Sequence, residues 1–314
     1  MIYPENILIL APLSGFTDLP YRQSAYRGGC RYAFTEMVDA ASLAYANAGG
    51  EKLLQCSEFE RENFIATQLV GSDPELLKRA CDKLNSYEYF SLLDFNLGCP
   101  VPKVVKKGAG AALGRKIDLA LECFEVLTRY SRFPLTAKMR ILHYEDPAPT
   151  LELCRGLVAL GAQALTIHGR TMEHFYTGTV NFSIIKAVKD AFPQIPVIAN
   201  GGVCSKETYD EMRQKSGCSR VMLAQGAMAI RGCFGNWRAV RRRPLRSGEK
   251  WFRPTSPAWS NFTAKNPPCD APGKSFTIIF AAAVSPHLCV ISLPHSAPKR
   301  NLRNCSLPPF PPPK

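Results

Sequence analysis

A cysteine set between a glycine and a proline, Asn96-Leu97-Gly98-Cys99-Pro100, follows the apolar run Leu92 to Leu97 and precedes a basic, glycine-rich loop. Gly98 opens a backbone path closed to other residues and Pro100 ends the strand. Cys99 is therefore expected just past a strand end, with its sulfur facing a cleft. A thiol with an ordinary pKa near ~8.5 is mostly protonated at neutral pH and can serve as a general acid without activation. The plainer alternative is a buried cysteine packed as a small hydrophobe. Lys138, in Ala137-Lys138-Met139-Arg140, is the second candidate. It could stabilise negative charge on a reduced flavin ring, or form a Schiff base with a carbonyl substrate. Gln68 offers both a donor and an acceptor to a ring edge. Hydride from a flavin and a proton from a thiol would together saturate a conjugated double bond.

These residues need elements to position them. Eight short apolar runs recur: Ile7 to Pro12, Tyr32 to Met37, Phe64 to Val70, Leu92 to Leu97, Leu135 to Arg140, Ala164 to Gly169, Pro196 to Gly201 and Arg220 to Gln225. Between them, stretches such as Asp73 to Leu84, Asp118 to Tyr130, Thr150 to Leu160 and Lys206 to Lys215 repeat apolar residues at three- and four-residue steps, the period of amphipathic helices. The fold class is therefore α/β, a (β/α)8 TIM barrel, since an open doubly wound sheet usually has fewer strands. A barrel places its active site at the carboxyl ends of its strands. Those ends read Ser14, Glu36, Gln68, Asn96 with Cys99, Lys138 with Arg140, His168 with Arg170, Asn200, and Gln225. The last two loops, Asn200-Gly201-Gly202 and Gln225-Gly226-Ala227, let backbone N–H groups approach an anion, so a phosphate-bearing cofactor is expected.

The formal charge is +13 over 314 residues, but it is unevenly spread. Up to Met228, 25 Lys and Arg face 24 Asp and Glu; from Ala229 onward 14 face 2, for a net +12. That last part also holds 14 of the 25 prolines. A boundary is expected near residue 230, with a catalytic barrel over 1–230 and an irregular, disordered, basic tail over 231–314. The apolar run Phe276 to Leu293 is interrupted by Ser285-Pro286-His287, so no membrane span is expected. The twelve cysteines show neither CxxC nor CxxC…H spacing, which argues against a disulfide framework and a metal site. No basic-then-apolar leader opens the chain, so the expected compartment is the cytoplasm. Lys103, Lys106 and Lys107 form either a solvated face or a surface for nucleic-acid phosphates.

Residues 7–228 closely resemble the catalytic barrel of the tRNA-dihydrouridine synthases. The motifs that carry the resemblance are Ala11-Pro12-Leu13-Ser14-Gly15-Phe16-Thr17-Asp18, Thr35-Glu36-Met37-Val38, Gln68-Leu69-Val70-Gly71, Asn96-Leu97-Gly98-Cys99-Pro100, Gly108-Ala109-Gly110-Ala111, Ala137-Lys138-Met139-Arg140, Ile167-His168-Gly169-Arg170-Thr171 and Asn200-Gly201-Gly202. The resemblance implies an FMN enzyme that uses NADPH to reduce the C5–C6 bond of particular uridines in tRNA, and a monomer is expected. It implies Cys99 as proton donor. Pro12, Leu13, Ser14, Gln68, Lys138, His168, Asn200, Gly201, Gly202, Gln225 and Gly226 would hold the cofactor. Glu36, Asn96, Lys103, Arg140 and Arg170 would face the substrate.

Two departures stand out. The family usually has Gly-Arg-Gly after the eighth strand where this chain has Ala224-Gln225-Gly226, which removes a cation from the phosphate site. The family's small helical tRNA-gripping domain has no counterpart in Gly232 to Lys314, whose abrupt change of composition is also what an out-of-frame reading of the gene would produce. Two other readings stay open: a flavin barrel acting on a free pyrimidine, in the manner of dihydroorotate dehydrogenase, and a non-catalytic RNA-binding protein that uses the basic tail.

Overall fold

In the computed structural model, residues 2–229 are described. The readings made of residues 231–314, including the run Phe276 to Leu293, lie outside the described residues. Eight parallel strands close into a barrel in sequence order. They are β1 (Leu8–Leu10), β2 (Ala33–Asp39), β3 (Ile65–Val70), β4 (Leu92–Leu97), β5 (Leu135–Arg140), β6 (Leu165–His168), β7 (Val197–Asn200) and β8 (Arg220–Leu223). Closure is made by β1 against β8, where Leu8, Ile9 and Leu10 pair with Val221, Met222 and Leu223. All eight expected runs are strands, and the chain is a (β/α)8 TIM barrel.

The two-residue period of a strand sorts its side chains between two cores. Inside the barrel, Ile9, Phe34, Ala66, Leu92, Ala164, Ile198 and Met222 pack with the buried Tyr3 into one apolar floor. Outside, Leu69, Leu93, Phe95, Leu97, Ala137, Met139 and Ile167 face the helical layer. Each such leucine or isoleucine, fully buried, contributes about 1.5–3 kcal/mol relative to exposure. Toward the carboxyl ends the interior positions turn polar, and that change is what builds the site.

The helices follow ordinary cap chemistry. Pro74–Leu84 starts with Asp73 accepting from Leu76 N, has proline at its first position, and buries Leu77, Ala80, Cys81 and Leu84 on one face. Lys206–Ser216 opens with a capping box between Ser205 and Thr208 and stops at Gly217, whose φ of 70° suits glycine. Leu19–Arg27 is a helix that the apolar period did not mark. Its buried face carries Arg22 and Tyr26, and the guanidinium is satisfied by Glu60 at 2.7 Å and by the carbonyls of Thr17 and Gln55. An arginine buried by pairing is invisible to a search for apolar periodicity. That pair also ties the helix Leu19–Arg27 to the segment between β2 and β3.

Candidate active site

Cys99 lies just past β4 as its sequence context requires, but Gly98 is needed for a different reason. Its φ is not positive; a Cβ there would instead meet Met139 C and Arg140 N at 3.1 Å, so glycine serves close approach to β5. A positive φ belongs instead to glycines of the following loop, among them Gly110 at 61°, where a Cβ would come 2.7 Å from the Cys99 carbonyl oxygen. Through this gap the Ala111 N–H reaches that carbonyl at 3.0 Å, and the basic loop folds back onto the cysteine.

Asn96 holds the other side of the turn. Its Oδ1 accepts from Gly98 N at 3.0 Å and Cys99 N at 2.8 Å. Its Nδ2 donates to Gln68 Oε1 at 2.8 Å, and Gln68 Nε2 donates to Asp94 Oδ2 at 2.7 Å. Thr136 Oγ1 completes the series by donating to Asp94 Oδ1 at 2.6 Å. Register makes this possible, since Gln68 lies across from Asp94, Asp94 from Thr136, and Asn96 from Lys138.

Burial sets the charge states. It pushes the Cys99 thiol up, against smaller opposing effects of the Val101 N–H, Lys138 and Arg140, so the sulfur keeps its proton near neutral pH. Burial, helped by the charge of Arg140, lowers Lys138 to about 8, against the opposing effects of Asp94 and Cys99. The Lys138 ammonium makes no hydrogen bond among the described residues. Burial raises Asp94 to about 6, against its bonds from Gln68 and Thr136 and the charge of Lys138. His168 is pushed well below the usual imidazole value by burial and by Lys138, Arg140 and Arg170, so it is neutral at working pH.

The remaining expected residues fall into three groups. Arg140 is buried and largely committed, with Nε on Gly98 O at 3.0 Å, Nη1 on Thr171 O at 2.9 Å and its guanidinium 5.6 Å from the ring centre of Tyr176. Around the last strands, Asn200 Nδ2 donates to Met222 O at 2.8 Å, and Gly201 and Gly202 have φ of 118° and 70°. A Cβ on Gly201 would lie 2.6 Å from His168 Cδ2, and one on Gly226 would lie 1.9 Å from Val203 O, so these glycines let the two loops and His168 converge. Arg170 Nη2 sits 3.5 Å from where a Cβ on Gly202 would be, which puts its charge beside the glycine loops. Gln225 brings no cation there, and Arg170 does. At the first strand, Glu36 accepts from Gly15 N and so braces the loop that carries Pro12, Leu13 and Ser14.

Lys103 is not drawn into this set: it is exposed, and its ammonium has no hydrogen bond or ion pair among the described residues. Lys107 is held by Asp39 at 2.6 Å. Three site residues escaped the sequence reading: Asp94, Thr136 and Tyr176. Asp94 did leave a signal, an acid inside a mostly apolar strand and in phase with Asn96. Tyr176, 41% exposed at the mouth, left none, because only the fold of the loop after β6 brings it to Arg140. Among the described residues no cluster of His, Cys, Asp and Glu could hold a metal, and no helix is long and apolar enough to cross a membrane.

A closed parallel barrel with a protonated thiol, a half-buried lysine and converging glycine loops at the carboxyl ends of its strands belongs to the class of (β/α)8 barrels. Within that class the chain belongs to the dihydrouridine synthase (Dus) family, whose family model matches residues 9–249. It is 34% identical over 236 residues to a probable tRNA-dihydrouridine synthase of Rhizobium leguminosarum bv. phaseoli, covering 75% of this chain and 71% of that one. It is 37% identical over 224 residues to one from Rickettsia bellii, covering 70% and 67%. Against tRNA-dihydrouridine synthase B of Pseudomonas aeruginosa it is 33% identical over 222 residues, covering 71% and 66%. The matched part thus spans about two thirds of the length of these relatives. The fold alone is shared with the crystal structure of TcOYE with pHBA, at a TM-score of 0.53 and 9% identity, over 72% of this chain and 86% of that one.

Proposed function

We propose that this protein reduces the C5–C6 double bond of uridines in tRNA to 5,6-dihydrouridine, with FMN as cofactor, NADPH as reductant and Cys99 as proton donor. The observation that carries the reading is the Cys99 turn: a thiol kept protonated by burial, held by Asn96, with Lys138 and Arg140 close enough to act on its sulfur. The residues suit the cofactor. Gly201, Gly202 and Gly226 leave a cradle that a Cβ would fill, and Arg170 supplies positive charge beside it. Lys138 supplies a cation where charge develops on a reduced ring. Bound FMN would deliver the hydride to one carbon of the double bond.

The chain's own part is positional and acid–base. Cys99 gives the Sγ proton to the other carbon, so one hydride and one proton become the two new C–H bonds, and the thiolate left behind is reprotonated from water. Protonated Lys138 favours that transfer by stabilising negative charge nearby. Neutral His168 meets the cofactor by hydrogen bonding rather than by charge. Arg140 and Asn96, both tied to the turn, keep the sulfur aimed, while Tyr176 closes one side of the mouth. We place this activity in the cytoplasm and in a monomer.

The test is direct. The purified protein should show flavin absorption, and with NADPH and tRNA lacking the modification it should add two hydrogens to particular uridines, read by mass spectrometry of nucleosides. A colourless protein inert on tRNA would overturn the reading, and reduction of free pyrimidine but not tRNA would move it to the free-base alternative.

A further inference from the structure

Asp94 is a carboxylate buried in the barrel interior, and nothing in the proposed proton transfer uses it directly. It is 1% exposed and receives two bonds, from Thr136 and from Gln68. A buried charge of this kind is costly, so its retention in the middle of a mostly apolar strand asks for a return.

The series of bonds that starts at Asp94 has a direction. A carboxylate only accepts, so Gln68 must turn its amide nitrogen toward it, which leaves Gln68 Oε1 facing Asn96. Asn96 must then turn its own nitrogen toward Gln68, which leaves Asn96 Oδ1 facing the loop. There it meets two groups that only donate, the N–H of Gly98 and the N–H of Cys99. Both ends of the series have fixed polarity, and the two amides between them can satisfy both ends in only one orientation. Were Gln68 free to flip, its nitrogen would face the Asn96 nitrogen, donor against donor; Asn96 could relieve that clash only by turning its oxygen away from the turn, and the Cys99 N–H would lose its acceptor.

We propose that Asp94 is a positioning residue for Cys99: by fixing the direction of the Gln68 and Asn96 amides it holds Asn96 Oδ1 against the Gly98 and Cys99 N–H groups and so aims the sulfur. The acceptor matters in this role more than the negative charge does. An asparagine at 94 can accept from Gln68 with its oxygen and donate to Thr136 Oγ1, which keeps the direction; an alanine cannot. The inference takes from the proposed function only the importance of where Cys99 sits, and its test does not depend on turnover.

The experiment is alkylation of Cys99 by iodoacetamide in the full-length protein, followed peptide by peptide by mass spectrometry, with the thermal transition measured alongside. Asn96→Ala, which removes the acceptor at the turn, sets the scale and should speed Cys99 labelling. Asp94→Ala should speed it about fivefold or more, the size of a coupling near 1 kcal/mol, whereas Asp94→Asn should label at the wild-type rate. In the Asn96→Ala background, Asp94→Ala should add nothing further, because the path through Asn96 is already cut. A wild-type labelling rate in Asp94→Ala, or independent effects that multiply in the double variant, would overturn the proposal. Should Asp94→Ala not fold, Gln68→Met cuts the same series one link nearer the turn and must give the same rise; an unchanged rate in it overturns the proposal equally. Turnover of Cys99→Ala tests the proton-donor reading separately, so failure of one is not mistaken for failure of the other.

Discussion

The Nε of Arg140 donates to the carbonyl of Gly98 at 3.0 Å, and by that bond the last residue of β5 grips the turn that carries Cys99. The same guanidinium reaches Thr171 O in the loop after β6, so one side chain ties two loops of the mouth together. Lysine has the charge but lacks the fork that makes both bonds. Arg140→Lys should leave the barrel folded, with a thermal midpoint lowered by a few degrees, and slow tRNA reduction about tenfold or more. Hydrogen exchange should rise at 97–101 and 169–177 together; a rise at one segment alone would show that the two loops are not coupled through Arg140.

Cys99→Ala separates hydride delivery from proton delivery. The variant should retain flavin and allow its reduction by NADPH, yet reduce uridine slower by ~10² or more. Turnover at the wild-type rate would remove Cys99 from the mechanism.

Lys138 gives the site a pH limit. Its pKa of about 8 means that its charge, and with it the rate of flavin reduction, should fall as pH rises through about 8. Because an unfolded lysine titrates near ~10.4, the unfolded chain binds more protons between the two values, so this group adds stability as pH rises across that window. Lys138→Met should purify with less flavin and lose this alkaline limb of the profile. Trapping of a substrate carbonyl on Lys138 by borohydride would support a Schiff base and defeat the flavin role.

Gly226 is where the loops after β7 and β8 touch. A Cβ would sit 1.9 Å from Val203 O, so Gly226→Ala must push the loops apart. Reduced flavin retention with the thiol still protonated is the expected outcome, read from the visible spectrum and from Cys99 labelling against pH. Full flavin content in the variant would place the phosphate elsewhere.

Charge makes a separate prediction for the end of the chain. Residues 250–314 hold eight Lys and Arg against one Asp and lie beyond the part matched to the family. Their removal should leave flavin content unchanged and flatten the slope of log affinity for tRNA against log salt by ~0.7–0.9 for each RNA phosphate that the segment neutralises. An unchanged slope would show that this segment does not meet the RNA through its charge.

The strands, the closed barrel and the line of polar residues at its mouth were legible in the sequence. Each rests on local pattern: apolar runs of strand length, caps such as Asp73 and Ser205, and strand ends where apolar character stops. Gly98 was singled out correctly but for a conformation it does not adopt, since close approach to Met139 and Arg140 depends on a neighbour 42 positions away. The helix Leu19–Arg27 and the role of Asp94 were hidden for the same reason. A buried ionic or polar side chain is tolerated only where partners from distant segments satisfy it, as Glu60 does for Arg22 and as Gln68 and Thr136 do for Asp94. Residue types and their spacing along the chain therefore determined which groups could do chemistry. Which groups would meet, in which orientation and in which protonation state, was decided by the barrel's register and by the exclusion of water from its interior, and neither of those is a local property of the chain.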